Sequence, residues 1–248
     1  MPGSKIHPLS AIDAAELVAG RNPKSEIQNQ MTLEADAMII KTLPVGPIMA
    51  NCFIVGCKET LEAAVIDPGD EADKILQSVT DLDLNVKTII NTHGHFDHVS
   101  ANKGINTATN APILIHALDA PMLEQISASA ANWGLSAEDS PPPDRTINDG
   151  DTITFGQITL KVIHTPGHTP GGVSLFTDGY VFVGDTLFAG SIGRTDFPGG
   201  DFATLKSSIQ DKLFMLGDDV RVYTGHGSET TIGHEKQHNP FVGVNAMY

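Results

Sequence analysis

Four residues able to ligate a metal fall within six positions in Thr92-His93-Gly94-His95-Phe96-Asp97-His98, where the apolar run Val86 to Asn91 ends. Imidazole nitrogens mixed with carboxylate oxygens suit borderline divalent cations, whereas all-carboxylate sets favour calcium and all-thiolate sets favour structural zinc or iron-sulfur clusters. Zinc is the first expectation, with iron or manganese as alternatives. His93 and His95 are two apart, a spacing that cannot place both on one helix face but lets an extended loop aim both inward. Asp97 and His98 then lie beyond the turn and are free to serve a second ion.

One such ion needs about four ligands and two need more. The chain returns three times with suitable residues, each after an apolar strand: His168 in His164-Thr165-Pro166-Gly167-His168, Asp185 in Val183-Gly184-Asp185-Thr186, and His226 in Thr224-Gly225-His226-Gly227. Singly these are ordinary loop residues. Their conjunction with the first cluster is what makes a site.

The elements that must position these residues read as alternating strands and helices. Asn51 to Cys57, Ala63 to Ile66, Val86 to Asn91 and Ala111 to His116 are short apolar strands, and Thr152 to Ile163 and Val173 to Val183 read as hairpins. Helices are expected over Ala11 to Ala19, Glu71 to Val79, Ser100 to Thr109 and Phe202 to Leu216, the last from its apolar recurrence at Phe202, Leu205, Ile209, Leu213 and Leu216. The class is mixed α and β, with sheets covered by helices. No internal repeat of 20 to 50 residues occurs. Residues 1–36 differ in texture and read as an N-terminal extension of undecided role, an oligomerisation arm, a disordered lead or an edge-covering helix, leaving 37–248 as the catalytic domain.

Composition bounds the function. The chain has 248 residues, 40% hydrophobic, with 15 basic against 30 acidic residues and a net charge of −15. Binding to phosphate backbones or anionic lipid needs clustered Lys and Arg, so nucleic acid and membranes are poor partners and a small-molecule substrate is expected. No run approaches the roughly 20 apolar residues of a membrane span, and Asp13 and Glu16 interrupt any signal-peptide core, which points to the cytoplasm. Cys52 and Cys57 lie on one strand at odd separation, hence on opposite faces, and are read as buried hydrophobes rather than a disulfide or ligands. Oligomeric state is left open, a homodimer being one option.

The motif His93-x-His95-x-Asp97-His98 followed by His168, Asp185 and His226, in this order and at these spacings, resembles the metallo-β-lactamase superfamily from about Met38 to Val242. The flanks Gly184-Asp185-Thr186-Leu187-Phe188, Gly193-Arg194-Thr195-Asp196-Phe197-Pro198-Gly199-Gly200 and Gly225-His226-Gly227 are similar to its glyoxalase II-like, or hydroxyacylglutathione hydrolase-like, branch. That resemblance implies a four-layer αβ/βα sandwich with two metals between the sheet edges. It implies that His93, His95 and His168 hold the first ion, that Asp97, His98 and His226 hold the second, and that Asp185 bridges them. It further implies hydrolysis of acyl thioesters such as S-D-lactoylglutathione by a metal-bridging hydroxide, with Asp97 orienting that nucleophile and taking its proton. Glyoxalase II enzymes bind glutathione partly through a helical C-terminal domain. Here 22 residues follow His226, so the likeness is to members without it.

Competing readings are a mononuclear iron persulfide dioxygenase, for which His93, His168 and Asp185 could supply two His and one carboxylate, and a β-lactamase or lactonase. Gly225-His226-Gly227 fits the hydrolase branch better than the dioxygenases, and Asp185 stands where common β-lactamases carry Cys. A nuclease would want a basic surface, and a non-catalytic sensor would be expected to lack ligands. Arg194 either contacts a substrate carboxylate or pairs with Asp196. His116, His234 and His238 read as structural or solvated, and His164 as a partner behind a ligand.

Overall fold

The computed structural model describes residues 38–246; the expected helix Ala11 to Ala19 and the extension 1–36 lie outside them. Six strands, β1 (Met38–Val45), β2 (Ala50–Cys57), β3 (Glu62–Ile66), β4 (Asn85–Ile90), β5 (Ile113–His116) and β6 (Arg145–Ile147), form one sheet in sequence order. The first three pair antiparallel and the rest parallel. A second sheet of six has the order β14 (Thr230–Thr231), β13 (Arg221–Thr224), β10 (Tyr180–Gly184), β9 (Val173–Thr177), β8 (Ile158–His164), β7 (Thr152–Phe155). Between β10 and β13 a small hairpin joins β11 (Leu187–Phe188) to β12 (Ser191–Ile192).

The two sheets stack because their strands are apolar on both faces. Along β2, Cys52 and Ile54 join one core while Phe53, Val55 and Cys57 join another; β3 and β5 divide by the same alternation, and β4 does so apart from an irregularity in its pairing with β3 that puts Val86 and Ile89 in one core. The strand period of two turns continuous hydrophobic runs into two-sided layers, as expected where helices cover a sheet. The shared core between the sheets contains Phe53, Phe182 and Tyr223 with centroids 5.0 to 5.6 Å apart, worth about 0.5–1.5 kcal/mol per pair beyond area burial. A third core lies beyond the second sheet, where Val181, Val183 and Val222 meet Leu205, Ile209 and Leu213. The layers therefore run helix, sheet, sheet, helix. Cys52 and Cys57 are both buried and unpaired, on opposite faces as their spacing required.

Three helical expectations are adjusted. The first covering helix, α1, runs Ala72–Asp81 and begins after Glu71, which is left-handed at φ 52°. Ser100 to Thr109 is displaced toward the motif: α2 (Phe96–Val99) starts directly at Phe96, and α3 (Asn102–Thr109) follows. The break between them falls where the Ala101 N–H donates to the Pro68 carbonyl instead of the helix ladder. Asp97 and His98 thus lie beyond the turn as expected, in the first helical turn of α2. After the 3₁₀ segment Ala120–Gln125 and helix α4 (Ile126–Ala131), the segment from Phe202 is helical but not uniformly so. It is α5 (Phe202–Ser207), then a π turn over Ser208–Lys212 and a 3₁₀ turn over Leu213–Met215. The widened turn carries Ser208, whose hydroxyl donates to the Pro166 carbonyl at 2.7 Å and ties the helix to the His168 loop. Helix α6 (Ile232–His238) closes the second sheet's outer face.

Candidate metal centre

Four candidate ligands follow the C-terminal ends of strands, His93 after β4, His168 after β8, Asp185 after β10 and His226 after β13, while His95 caps helix α2 and Asp97 and His98 lie in its first turn. Hydrogen bonds between the sheets bring these ends to one edge. Val173 N–H donates to Thr92 O at 2.8 Å, Asn51 N–H to Gly225 O at 2.7 Å, and the Asn51 amide to the Thr224 and Gly227 carbonyls.

The seven predicted ligands converge there. His93, His95 and His168 place ring nitrogens within 4.8 Å of one another, and Asp97, His98 and His226 form a second such group. His95 Nδ1 is 2.9 Å from His168 Nε2, and His98 Nε2 is 3.2 Å from His226 Nε2. The Asp185 carboxylate lies between the groups, Oδ1 3.3 Å from His98 Nε2 and Oδ2 3.5 Å from His168 Nε2 and 3.6 Å from His226 Nε2. His93 Nε2 and Asp185 Oδ1 are buried with no hydrogen-bond partner. Buried polar atoms left unpaired are costly, and here both face a cluster of further nitrogen and oxygen donors. The donor set and these orphaned atoms fit divalent cations.

The far side of three of the five imidazoles is held. His168 Nδ1 donates to the Arg194 carbonyl at 2.7 Å, His98 Nδ1 lies 3.2 Å from Asp67 Oδ2, and His93 Nδ1 lies 3.1 Å from the Thr92 hydroxyl, itself 2.6 Å from Asp67 Oδ2. A proton fixed on Nδ1 leaves the Nε2 lone pair for a cation. Asp67, completely buried, thus steadies two imidazoles, one through Thr92. Sequence reasoning did not single it out. The available signal was that it ends an apolar strand, as Asp185 does. Asp119 was also missed; it is buried and accepts from Gly94 N–H at 3.1 Å and Gly171 N–H at 2.7 Å, joining the two loops that carry His95 and His168. Gly69 is required by close approach, since a Cβ there would overlap the Asp97 carbonyl.

His164 does not touch a ligand: its ring stacks on His116 at 4.4 Å and its Nε2 contacts the Pro170 carbonyl. Arg194 lines the cleft above the cluster, and its guanidinium is forked onto Asp196 at 2.9 and 2.7 Å.

Electrostatics separate the histidines. Burial, followed by the neighbouring imidazoles, pushes His93 well below its usual range and His95 down to about 4. Burial also opposes charge on His98, but Asp185 and Asp97 outweigh it and hold that imidazolium well above the usual value; His226 is raised similarly by Asp97 and Asp185. Without metal the second group therefore keeps protons near neutral pH, and a cation must displace them. Raising the pH through the elevated His226 and His98 values should tighten metal binding. Calorimetric titration with Zn²⁺ in two buffers of different ionisation enthalpy should show net proton release near pH 7, and a release of zero would count against these two imidazoles as ligands.

The comparisons with known proteins agree. The metallo-β-lactamase superfamily model matches residues 45–226, and the chain belongs to that superfamily. It is 41% identical over 209 residues to a hydroxyacylglutathione hydrolase, GloC, of Haemophilus influenzae, covering 83% of this chain and 98% of that one, which supports the likeness to the glyoxalase II-like branch. Among solved structures it is similar to the B3 metallo-β-lactamase BLEG-1 (TM-score 0.78, 35% identity, 82% and 99% of the two chains). It is also similar to TTHA1623 in a di-iron-bound form (0.75, 39%, 81% and 99%) and to ETHE1 from Myxococcus xanthus (0.70, 31%, 83% and 84%). The chain is thus a metallo-hydrolase-superfamily enzyme with a His/Asp cluster of the kind that binds divalent metals, and the di-iron neighbour keeps zinc and iron both open. No helix among the described residues is long and apolar enough to cross a membrane.

Proposed function

We propose that this protein is a binuclear metal-dependent hydrolase of acyl thioesters, S-D-lactoylglutathione among them. His93, His95 and His168 hold one divalent ion, zinc in the first instance, Asp97, His98 and His226 hold the other, and Asp185 serves both. The observation that carries the reading is the Asp185 carboxylate set within 3.6 Å of ligand nitrogens from each group. Divalent ions held there would lower the pKa of bound water toward about 7 and polarise a carbonyl.

The chain's own residues do the rest. Asp97 lines the cleft, and its carboxyl is held below the usual range, because His98 and His226 outweigh the opposing effect of burial. An ionised Oδ2, 3.2 Å from His226 Nε2, is placed to orient the attacking water and receive its proton. The cleft gives a small-molecule substrate direct access to His95, His168 and His226. Likeness to the hydroxyacylglutathione hydrolase supports thioesters as the substrate class.

Asp97→Ala is expected to lose about 10²–10⁴-fold in turnover, the usual worth of a positioned base, together with one equivalent of metal by elemental analysis. Retained turnover would remove Asp97 from this role. Elemental analysis of the wild type, paired with aerobic and anaerobic assays on S-D-lactoylglutathione, tests the whole reading. Two metals per chain with oxygen-independent hydrolysis are expected. One iron per chain, no hydrolysis and oxygen uptake with glutathione persulfide would instead establish the mononuclear dioxygenase reading, which the likeness to ETHE1 keeps in view and which leaves Asp97, His98 and His226 without a task.

A further inference from the structure

The cleft above the metal-ligand cluster has a volume of about 830 Å³, and beyond the ligands its wall is largely apolar, with Phe96, Leu118, Met122, Trp133, Phe188 and Phe197 contributing. Leu118 is 58% exposed and Trp133 54%. Two large apolar side chains thus meet solvent at the mouth of a site, where such exposure marks a surface awaiting a ligand. The rings form a path: Phe96 to Trp133 at 6.3 Å, Trp133 to Phe197 at 6.4 Å, and Phe197 to the candidate ligand His95 at 5.7 Å.

Charge points the same way. Among the described residues lining this cleft, Arg194 is the one Lys or Arg. Two of its five N–H donors are forked onto Asp196, and its guanidinium carbon lies 4.2 Å from the centre of the Phe197 ring. The pair is locally neutral, in a chain of net charge −15. Away from the metal-ligand cluster, an anionic carrier thiol such as glutathione therefore meets one Arg that is already paired with a carboxylate, whereas an apolar group meets a broad aromatic wall.

We infer that the cleft accepts uncharged acyl groups, the small lactoyl group included, but favours larger apolar ones, aliphatic or aromatic, seated against Trp133, and that the carrier thiol is not read through its charge. The inference rests on the thioester-hydrolase reading and makes Trp133 a specificity-determining residue. Covering the wall should tighten binding by up to about 4-fold per methylene added.

Trp133 is the single tryptophan, so its emission reports its own covering. The metal-loaded protein is titrated with non-hydrolysable S-alkyl thioethers, ethyl to octyl, built on glutathione and on uncharged N-acetylcysteamine. Dissociation constants are read by calorimetry and Trp133 emission is followed in parallel. Affinity is expected to rise with chain length, with a blue shift of emission, and to differ between the two carriers by less than about tenfold. Trp133→Ala should flatten the length dependence and Trp133→Phe should restore most of it; an exposed position of this kind tolerates both. Affinity independent of chain length, a length dependence that survives Trp133→Ala, or a preference for glutathione above about tenfold would each overturn the inference. Because these ligands are not turned over, the binding series stands or falls separately from thioester hydrolysis.

Discussion

Asp185→Asn is expected to lower turnover on thioesters by about 10³-fold or more and to bring metal content below two per chain. The substitution keeps volume and most contacts but removes the negative charge that stands 3.3 to 3.6 Å from His98, His168 and His226. Two cations held close together repel, and a carboxylate between them is the group that offsets the repulsion. Metal-assisted charge stabilisation is worth several kcal/mol, and about 4 kcal/mol corresponds to roughly 10³-fold in rate. The measurements are steady-state kinetics and elemental analysis on the same preparation. Activity within tenfold of wild type, with two metals retained, would show that Asp185 does not serve both ions. The mononuclear reading also needs Asp185 but has only one ion to lose, so the metal count separates the two.

Asp67→Ala should damage both stability and metal affinity, since the Asp67 carboxylate lies within 4.8 Å of ring nitrogens of both His93 and His98. Its carboxylate accepts from Thr92 N–H at 2.7 Å and from the Thr92 hydroxyl at 2.6 Å, and it faces His98 Nδ1 at 3.2 Å. Alanine strands all of these in a fully buried place. Breaking such a buried pair costs about 3–5 kcal/mol, which at about 2–4 °C per kcal/mol for a domain of this size lowers Tm by roughly 10 °C. Metal affinity should fall about 10–100-fold, as for other groups that orient a ligand from behind. Asp67→Asn keeps one acceptor oxygen and should fall between alanine and wild type. An unchanged Tm and unchanged metal content in Asp67→Ala would show that His98 is oriented by something else.

What was legible in the sequence follows from where information is local. Short apolar runs announced β2 to β5, and alternation announced the β7–β8 hairpin, because both patterns need only neighbours to be seen. The first cluster, His93 to His98, was legible for the same reason: four donors in six positions declare themselves without a fold. Helix boundaries were less legible. The break between α2 and α3 falls where Ala101 donates to Pro68 across the site, and the π turn at Ser208 accompanies a hydrogen bond to Pro166. Neither partner is near in sequence.

The supporting residues were the least legible. Asp67 and Asp119 stand in turn-like contexts, and nothing beside them in sequence says that their carboxylates reach Thr92, Gly94 and Gly171. His164, next to the His168 motif, drew attention it did not need, because its ring turns away to stack on His116.

By itself, then, the sequence determined the ligand types, their order along the chain, the two-faced strands and the acidic surface, all properties of local composition and spacing. Only the tertiary structure decided that seven side chains from four strand ends share one edge, that Asp185 falls between two groups, and that Trp133 and Phe197 wall the same cleft. Those facts depend on how two sheets stack and which backbone groups bond across them, and a distance between residues some 130 positions apart, as between His98 and His226, exists only once the chain has folded.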